Sequence, residues 1–245
     1  CKRLGVHLNF APVVDINTNP NNPIIGNRSF GENEYLISKQ VNSFINGMQS
    51  VGILGSAKHF PGHGDTTKDS HKTLPVIEFS KERIFNTELF PFQEAIKNNI
   101  ASIMVAHLEI PSIEKTNNLP STLSDIIIDS ILKKKLKFKG LIITDALDMK
   151  GVAGYSKMNV DLKAFLAGND ILLMSLNVKD GIESIKNAYE KGIVSEERLE
   201  HSVKKILMAK FKVGLHNKVI INDKNVFNDL NNPNQKKLMQ LLPEN

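Results

Sequence analysis

Short apolar segments alternate along this chain with longer segments of helical periodicity. The apolar segments, typical of buried strands, occupy residues 6–14, 52–57, 101–107, 140–144 and 170–174. Apolar side chains three or four residues apart predict helices over residues 34–48, 81–97, 124–136, 159–167, 178–191 and 196–211, with Pro91 expected to bend or interrupt the second. Regular alternation of strand and helix indicates a parallel sheet with right-handed crossovers, in a doubly wound sheet or in a barrel.

Polar clusters follow at least four of the five predicted strands. They are Asp15 to Asn19, Lys58 to His71, His107 to Glu109, and Thr144 to Asp148. A doubly wound sheet concentrates its site at one switch point, whereas a barrel collects functional residues from many strand ends. We therefore expect an α/β fold of the TIM-type (β/α)₈ barrel class. Five strands cannot close such a barrel, so we expect its first strands to lie upstream of this chain.

The pattern changes after Gly214 to a polar stretch that includes Asn231-Asn232-Pro233-Asn234 and ends in a short apolar segment. This change predicts two parts. Residues 1–215 are expected to form the barrel domain, truncated at its N-terminus, and residues 216–245 a linker and the start of a following element. Upstream strands and a downstream domain of the same polypeptide are therefore the expected partners of this segment.

Composition narrows the classes of protein to which this chain could belong. A hydrophobic content of 41% over 245 residues is enough to bury a sizeable core. The formal charge of +5 comes from dispersed lysines without interleaved aromatic residues, so nucleic-acid binding is not indicated. No apolar run is long enough to span a membrane. Cys1 would be compatible with a mature lipoprotein, but it runs without a linker into the first strand, and we interpret the start as a truncation. The sequence does not assign the protein to a cellular compartment.

The densest group of titratable side chains lies at the end of the second predicted strand. Residues 58–75 combine a lysine, three histidines and two aspartates, in the order Lys58-His59-Phe60-Pro61-Gly62-His63-Gly64-Asp65-Thr66-Thr67-Lys68-Asp69-Ser70-His71-Lys72-Thr73-Leu74-Pro75. Any one of these residues alone would be an ordinary surface or capping group, and together they could also ligate a metal. Pro61 and Gly62 disfavour the helix on which a His-x-x-x-His metal pair usually lies, so we expect no metal.

A second informative segment is Gly140-Leu141-Ile142-Ile143-Thr144-Asp145-Ala146-Leu147-Asp148. Asp145 follows an aliphatic strand directly, which places its carboxylate where a buried face opens to ligand. A carboxylate in this position could be a nucleophile, a base or a metal ligand, or it could simply cap the following helix. Asp148 fits the capping role better.

With both segments together, the sequence resembles the β-N-acetylhexosaminidases of glycoside hydrolase family 3, the bacterial type that releases N-acetylglucosamine from peptidoglycan fragments. The resemblance runs from about Gly5 to Leu215. The Lys-His-Phe-Pro-Gly-His-Gly…Asp-Ser-His pattern of residues 58–71 carries the resemblance, because β-glucosidases of the same family lack this stretch, which we call the histidine loop. The resemblance implies a retaining enzyme that needs no cofactor and acts on a carbohydrate.

The resemblance also implies roles for individual residues. Asp145 matches the nucleophile, His71 matches the acid/base, and Asp69 matches its dyad partner. An imidazole titrates near pH 6.5, so it can act as acid and then as base near neutrality without the burial that a carboxylic acid needs. Asp69, two residues from His71, could hold one ring nitrogen and stabilise the imidazolium.

Four further residues are expected to touch the sugar. Lys58, His59 and Arg28 match substrate-binding positions of the family. His107, at another strand end, could touch the sugar or could be a satisfied core histidine. Glu109 is the alternative acid.

We therefore expect a glycosidase that hydrolyses terminal, non-reducing β-linked N-acetylhexosamine. The alternatives are a family 3 β-glycosidase or phosphorylase of other sugar specificity, and a non-catalytic sugar-binding module.

Overall fold

The computed structural model describes residues 1–66, 73–155, 159–218 and 220–241. Its centre is a parallel sheet with the strand order β1-β2-β3-β4. The strands are β1 (Leu8–Asn9), β2 (Leu54–Phe60), β3 (Ser102–Val105) and β4 (Leu141–Thr144). Leu8 pairs with Leu54, Ser56 with Ser102, and Ser102 with Leu141. The predicted strand segments therefore contribute to the sheet in the order of the sequence, except that the fifth contributes only a single bridge, between Ile171 and Ile143.

The first strand is shorter than predicted. Regular pairing covers Leu8 and Asn9, and a second contact follows only where Val13 bridges to Lys58. Pro12 lies between these contacts and has no backbone N–H to donate, which interrupts the ladder. The segment nevertheless continues along β2, and this brings residue 15 to the carboxyl end of that strand.

Helices connect and flank the strands. They are α1 (Glu34–Ser50), α2 (Lys81–Arg83), α3 (Phe90–Lys97), α4 (Lys150–Ala153), α5 (Val160–Ala167), α6 (Val178–Glu190), α7 (Glu196–Lys212), α8 (Val226–Leu230) and α9 (Pro233–Leu241). Side chains cap the N-termini of five of them, since oxygens of Asn33, Ser80, Asn159, Asn177 and Ser195 accept backbone N–H bonds.

Two predicted helices differ in detail. The segment predicted over residues 81–97 is divided into α2, a π-helical turn at Ile84–Glu88, and α3. Pro91 lies in the first turn of α3, where its missing N–H costs no helical bond, so it starts a new helix instead of kinking one. The segment predicted over 124–136 forms a π-helix at Ile126–Lys135.

The main core lies between the sheet and the helices on its faces. β2 is buried along most of its length, as expected for a central parallel strand. Val41 of α1, Phe92 of α3 and Ile127 of the π-helix pack in one cluster with Phe60 and Ile103 of the sheet. Among the described residues the sheet does not close, so the structure is an α/β arrangement with a parallel sheet, and closure into a barrel stays a prediction.

Residues after α7 pack partly against the start of the chain. Arg3 Nε lies 2.7 Å from a carboxylate oxygen of Asp229 in α8. The predicted domain boundary near residue 215 is untested. Among the described helices, none has both the length and the apolar character that crossing a bilayer requires.

Candidate active site

The carboxyl end of β2 carries two of the predicted sugar-binding residues, Lys58 and His59. The backbone of Lys58 is held by the preceding segment, because Val14 N donates to its carbonyl oxygen over 2.7 Å. The His59 side chain is buried, while Lys58 is partly exposed. Pairing along β2 therefore fixes both side chains at the sheet edge where parallel α/β proteins place their sites.

Asp15 lies directly beside His59. Its Oδ2 is 2.6 Å from His59 Nδ1, and the His59 backbone N–H points at the same carboxylate, 3.1 Å from Oδ2. The backbone N of His63 donates to Oδ1 over 2.7 Å. Burial alone would raise the pKa of Asp15, but its interactions with His59 and His63 hold that pKa below the usual range. Asp15 is therefore a buried carboxylate that remains charged.

Arg28 reaches the other side of the His59 ring. Its guanidinium Nη2 lies 3.3 Å from His59 Nε2, while Nη1 donates to the carbonyl oxygen of Ile24 over 3.0 Å. Arg28 ends a short 3₁₀ turn, Gly26–Arg28, in the loop that follows Asp15. The loop after the first strand thus delivers an exposed guanidinium to the histidine at the end of the second.

Lys58 links this group electrostatically to Asp145. Burial lowers the pKa of Lys58, the positive charge of Arg28 lowers it further, and the carboxylates of Asp145 and Asp15 act in the opposite direction. The structure therefore brings together three predicted site residues, Arg28, Lys58 and Asp145. The carboxylate of Asp15, to which the sequence assigned no role, interacts with the same lysine.

Asp145 follows β4 directly, as predicted. Its backbone N donates to the carbonyl oxygen of Val105 over 2.9 Å, and its Oδ1 accepts the Ala146 N–H over 2.9 Å. The residue is partly exposed. A partly exposed carboxylate on a rigid strand end can attack an electrophilic carbon bound above the sheet.

His107 is fully buried, with 0% of its surface exposed. Its Nδ1 lies 2.7 Å from Thr122 Oγ1, and its Nε2 donates to the carbonyl oxygen of Ala146 over 2.9 Å. Of the two interpretations of His107 that the sequence left open, this geometry favours the satisfied core histidine. Direct contact with a sugar stays an untested prediction.

The histidine loop begins in close contact with the loop that follows Asp15. Asn22 Nδ2 donates to the His63 carbonyl oxygen over 2.8 Å, and Thr18 Oγ1 donates to Asp65 over 2.8 Å. His63 is buried beside Thr66, whose hydroxyl lies 2.7 Å from its Nδ1, and burial lowers the pKa of His63. The predicted acid/base pair, His71 and Asp69, lies outside the described residues.

The alternative acid, Glu109, lies at the far end of this region. Its Oε1 accepts the backbone N–H of Asn118 over 2.8 Å, and its backbone N donates to Pro75, just after the histidine loop. Glu109 thus orders a turn, and this geometry does not favour Glu109 as the general acid. Within the described ranges, no group of three or more histidine, cysteine or acidic side chains is arranged to hold a metal ion.

Asp15 is the site residue to which the sequence assigned no role. A signal for it existed, because Asp15 follows the apolar strand ending in Val13-Val14 just as Asp145 follows β4. What the sequence could not give was its partner, since contact between Asp15 and His59 depends on the register of two strands that are distant in sequence.

Known proteins are similar to this chain in sequence. The family model described as Glycosyl hydrolase family 3 N terminal domain matches residues 1–209. The chain is 34% identical over 230 residues to a protein of Pseudoalteromonas piscicida named Beta-hexosaminidase A, covering 86% of this chain and 38% of that protein.

Solved structures are similar as well. A glycoside hydrolase family 3 β-N-acetylglucosaminidase from Paenibacillus sp. str. FPU-7 superposes with a TM-score of 0.86 at 35% identity, covering 91% of this chain and 43% of that one. A β-glucoside phosphorylase superposes with a TM-score of 0.89 at 27% identity, covering 95% and 44%. The chain therefore spans less than half the length of each of these similar proteins.

Proposed function

The chain belongs to glycoside hydrolase family 3, and on that premise we propose that the full-length protein is a retaining β-N-acetylhexosaminidase. It would remove terminal, non-reducing β-linked N-acetylglucosamine from a glycan or a muropeptide. The names of two similar proteins, a β-hexosaminidase and a β-N-acetylglucosaminidase, support this specificity.

One observation carries the proposal. The carboxylate of Asp145 lies at the end of β4 within electrostatic range of Lys58, which in turn lies within range of Arg28. A strand-end carboxylate beside a lysine suits an anionic nucleophile whose neighbours bind sugar hydroxyls.

The proposed chemistry has two steps. First, the Asp145 carboxylate attacks the anomeric carbon, the bond to the leaving oxygen breaks, and His71 donates a proton to that oxygen. Second, neutral His71 takes a proton from water, the water oxygen attacks the anomeric carbon, and Asp145 is released. Two displacements at one carbon retain its configuration. Asp69 would hold the His71 ring throughout, and Arg28, Lys58 and His59 would bind sugar hydroxyls.

We also propose that the sheet is part of a (β/α)₈ barrel. The strand order, the parallel pairing and the position of the site residues at the carboxyl ends of three strands support this. The strands that close the barrel would belong to the full-length polypeptide.

The proposal is tested with the full-length protein and two chromogenic substrates, an aryl β-N-acetylglucosaminide and the matching aryl β-glucoside. We expect turnover of the first with a clear preference over the second. Preference for the glucoside would contradict the sugar assignment. Binding of N-acetylglucosamine without turnover of either substrate would indicate a sugar-binding module instead.

A second candidate is a phosphorylase, and it rests on the similarity to the β-glucoside phosphorylase. In that reaction phosphate replaces water in the second step. Repeating the assay with added inorganic phosphate separates the two, since a phosphorylase would release a sugar 1-phosphate and a hydrolase would release the reducing sugar.

A further inference from the structure

We propose that Asp15 is a positioning residue for sugar binding, acting through His59. This inference rests on the proposed function, because it concerns the same site. Asp15 does not face the substrate region itself, as its surface is only 1% exposed. Its influence would therefore pass through the groups that it holds.

The hydrogen bonds define the tautomer of His59. A guanidinium can only donate, so the contact between Arg28 and His59 Nε2 requires a lone pair on Nε2. The ring proton must then lie on Nδ1, which faces Asp15 Oδ2 over 2.6 Å. A charged Asp15 favours this tautomer, because a carboxylate accepts the Nδ1 proton and offers none of its own. Asp15 therefore orients the ring whose other nitrogen holds Arg28.

The same carboxylate also holds the backbone at the start of the histidine loop. Asp15 accepts the backbone N–H groups of His59 and His63, which lie on either side of the tight turn after β2. The Asp15 carbonyl oxygen accepts a bond from Ser29 Oγ over 2.7 Å, next to Arg28. One residue thus joins the strand end, the loop that carries Arg28 and the loop that leads to His71.

The substitution Asp15→Asn tests this role with little change of shape. The amide still has one accepting oxygen, but an amide N–H facing Nδ1 would move the ring proton to Nε2 and remove the acceptor for Arg28. In the full-length protein we expect kcat/KM on the aryl N-acetylglucosaminide to fall about tenfold to 100-fold, by analogy with the loss seen when the partner that orients a metal-ligating histidine is removed. KM should rise more than kcat falls, because hydroxyl contacts persist in ground and transition states.

Asp170→Asn is the matched control. Asp170 is also a buried carboxylate, accepting the Ile142 N–H over 2.9 Å and the Ser202 hydroxyl over 2.6 Å and pairing with Lys205, but it lies at the opposite, amino end of the sheet. We expect this variant to melt at a lower temperature while its folded fraction keeps kcat/KM within about twofold of wild type. If Asp15→Asn behaves in the same way, Asp15 is only structural and the proposal is overturned.

A spectroscopic readout is independent of activity. In ¹⁵N-histidine-labelled full-length protein, with the His59 signals assigned by their loss in His59→Gln, we expect the wild type to show a protonated Nδ1 and an unprotonated Nε2. A protonated Nε2 in the wild type would overturn the proposal even if Asp15→Asn fails to fold. If the wild type shows the expected tautomer but turns over no hexosaminide, the proposed function fails and the positioning of His59 by Asp15 stands.

Discussion

His107 Nε2 donates a hydrogen bond over 2.9 Å to the carbonyl oxygen of Ala146, the residue that follows Asp145. A side chain beyond the end of β3 thereby supports the backbone beyond the end of β4. Because the ring is fully buried, this bond holds the backbone directly after the proposed nucleophile, Asp145. A substitution of His107 can therefore distinguish a core histidine from one that contacts the sugar.

His107→Phe should destabilise the protein by about 1–3 kcal/mol and lower kcat more than it raises KM. Phenylalanine keeps the ring volume but leaves the Ala146 carbonyl and the Thr122 hydroxyl without this partner, at the usual cost of buried unpaired groups. Thermal melting and steady-state kinetics provide the measurements. The same substitution at His201, which is exposed on α7, serves as the control and should leave both quantities nearly unchanged. A rise in KM alone, with no loss of stability, would favour direct contact of His107 with the sugar.

Asp145→Ala should abolish turnover in the full-length protein and leave it folded. Removal of a covalent nucleophile typically costs on the order of 10⁴-fold or more in kcat. The side chain is partly exposed and contributes no core packing, so we expect a melting temperature close to that of wild type. Near wild-type turnover by this variant would refute the assignment of the nucleophile.

His71→Ala should slow substrates with poor leaving groups far more than activated aryl glycosides. Protonation by a general acid contributes on the order of 10²- to 10⁴-fold, and a good leaving group needs it least. The comparison uses kcat/KM for a disaccharide and for a dinitrophenyl N-acetylglucosaminide. Equal losses on both substrates would argue for simple sugar binding by His71, and the same test on Glu109→Gln would then address the alternative acid.

Much of the fold could be predicted because local patterns determined it. The aliphatic strand Leu141–Thr144 and the amphipathic helix Glu34–Ser50 were predicted near their observed bounds. Predictions were less accurate where one residue changes the geometry. Pro12 interrupts the first strand, which the apolar pattern extended to residue 14. The interruption expected at Pro91 is observed, and a new helix begins at Phe90.

The site was predictable in its residue types but not in its contacts. The runs around Lys58 and Asp145 were visible because they end apolar strands, and both lie at the same edge of the sheet. The role of Asp15 was not visible, since its contact with His59 joins residues that are 44 positions apart and depends on strand register. His107 remained ambiguous in the sequence because burial and partners alone distinguish a core histidine from a binding one.

Glu88→Gln should stabilise the protein at neutral pH. The Glu88 side chain is 9% exposed, Arg83 Nε donates to its Oε1 over 3.1 Å, and among the described residues its Oε2 has no hydrogen-bond partner. Burial raises the pKa of this carboxyl above its ordinary value. Between the two values the native state binds more protons than the unfolded state, so stability falls as pH rises through this window.

The glutamine variant lacks this titration. Its melting temperature should exceed that of wild type above the raised pKa, and the advantage should shrink as pH falls towards 4.5, the ordinary value for this group. Glu82→Gln, at an exposed position in α2, is the control and should show no such gain. An advantage of Glu88→Gln that does not change with pH would show that lost packing strain, and not ionisation, explains it.

Gly64→Ala should disrupt the site by separating two loops. A Cβ at this position would lie 1.7 Å from the carbonyl oxygen of Ile16, so the backbone next to Asp15 would have to move. Overpacking of this kind costs about 1–3 kcal/mol or more, and the movement would also disturb the bond from His63 N to Asp15.

Gly47→Ala is the matched control, because α1 has open space there and the helix should gain about 0.5–1 kcal/mol. Both substitutions restrict the unfolded chain equally, so the difference between their melting temperatures reports the native-state clash. We expect Gly64→Ala to melt at a lower temperature than wild type and to lose kcat/KM. Gly47→Ala should melt at a slightly higher temperature with kcat/KM unchanged. Equal melting temperatures and activities would mean that the loops tolerate separation and that their close approach does not maintain the site.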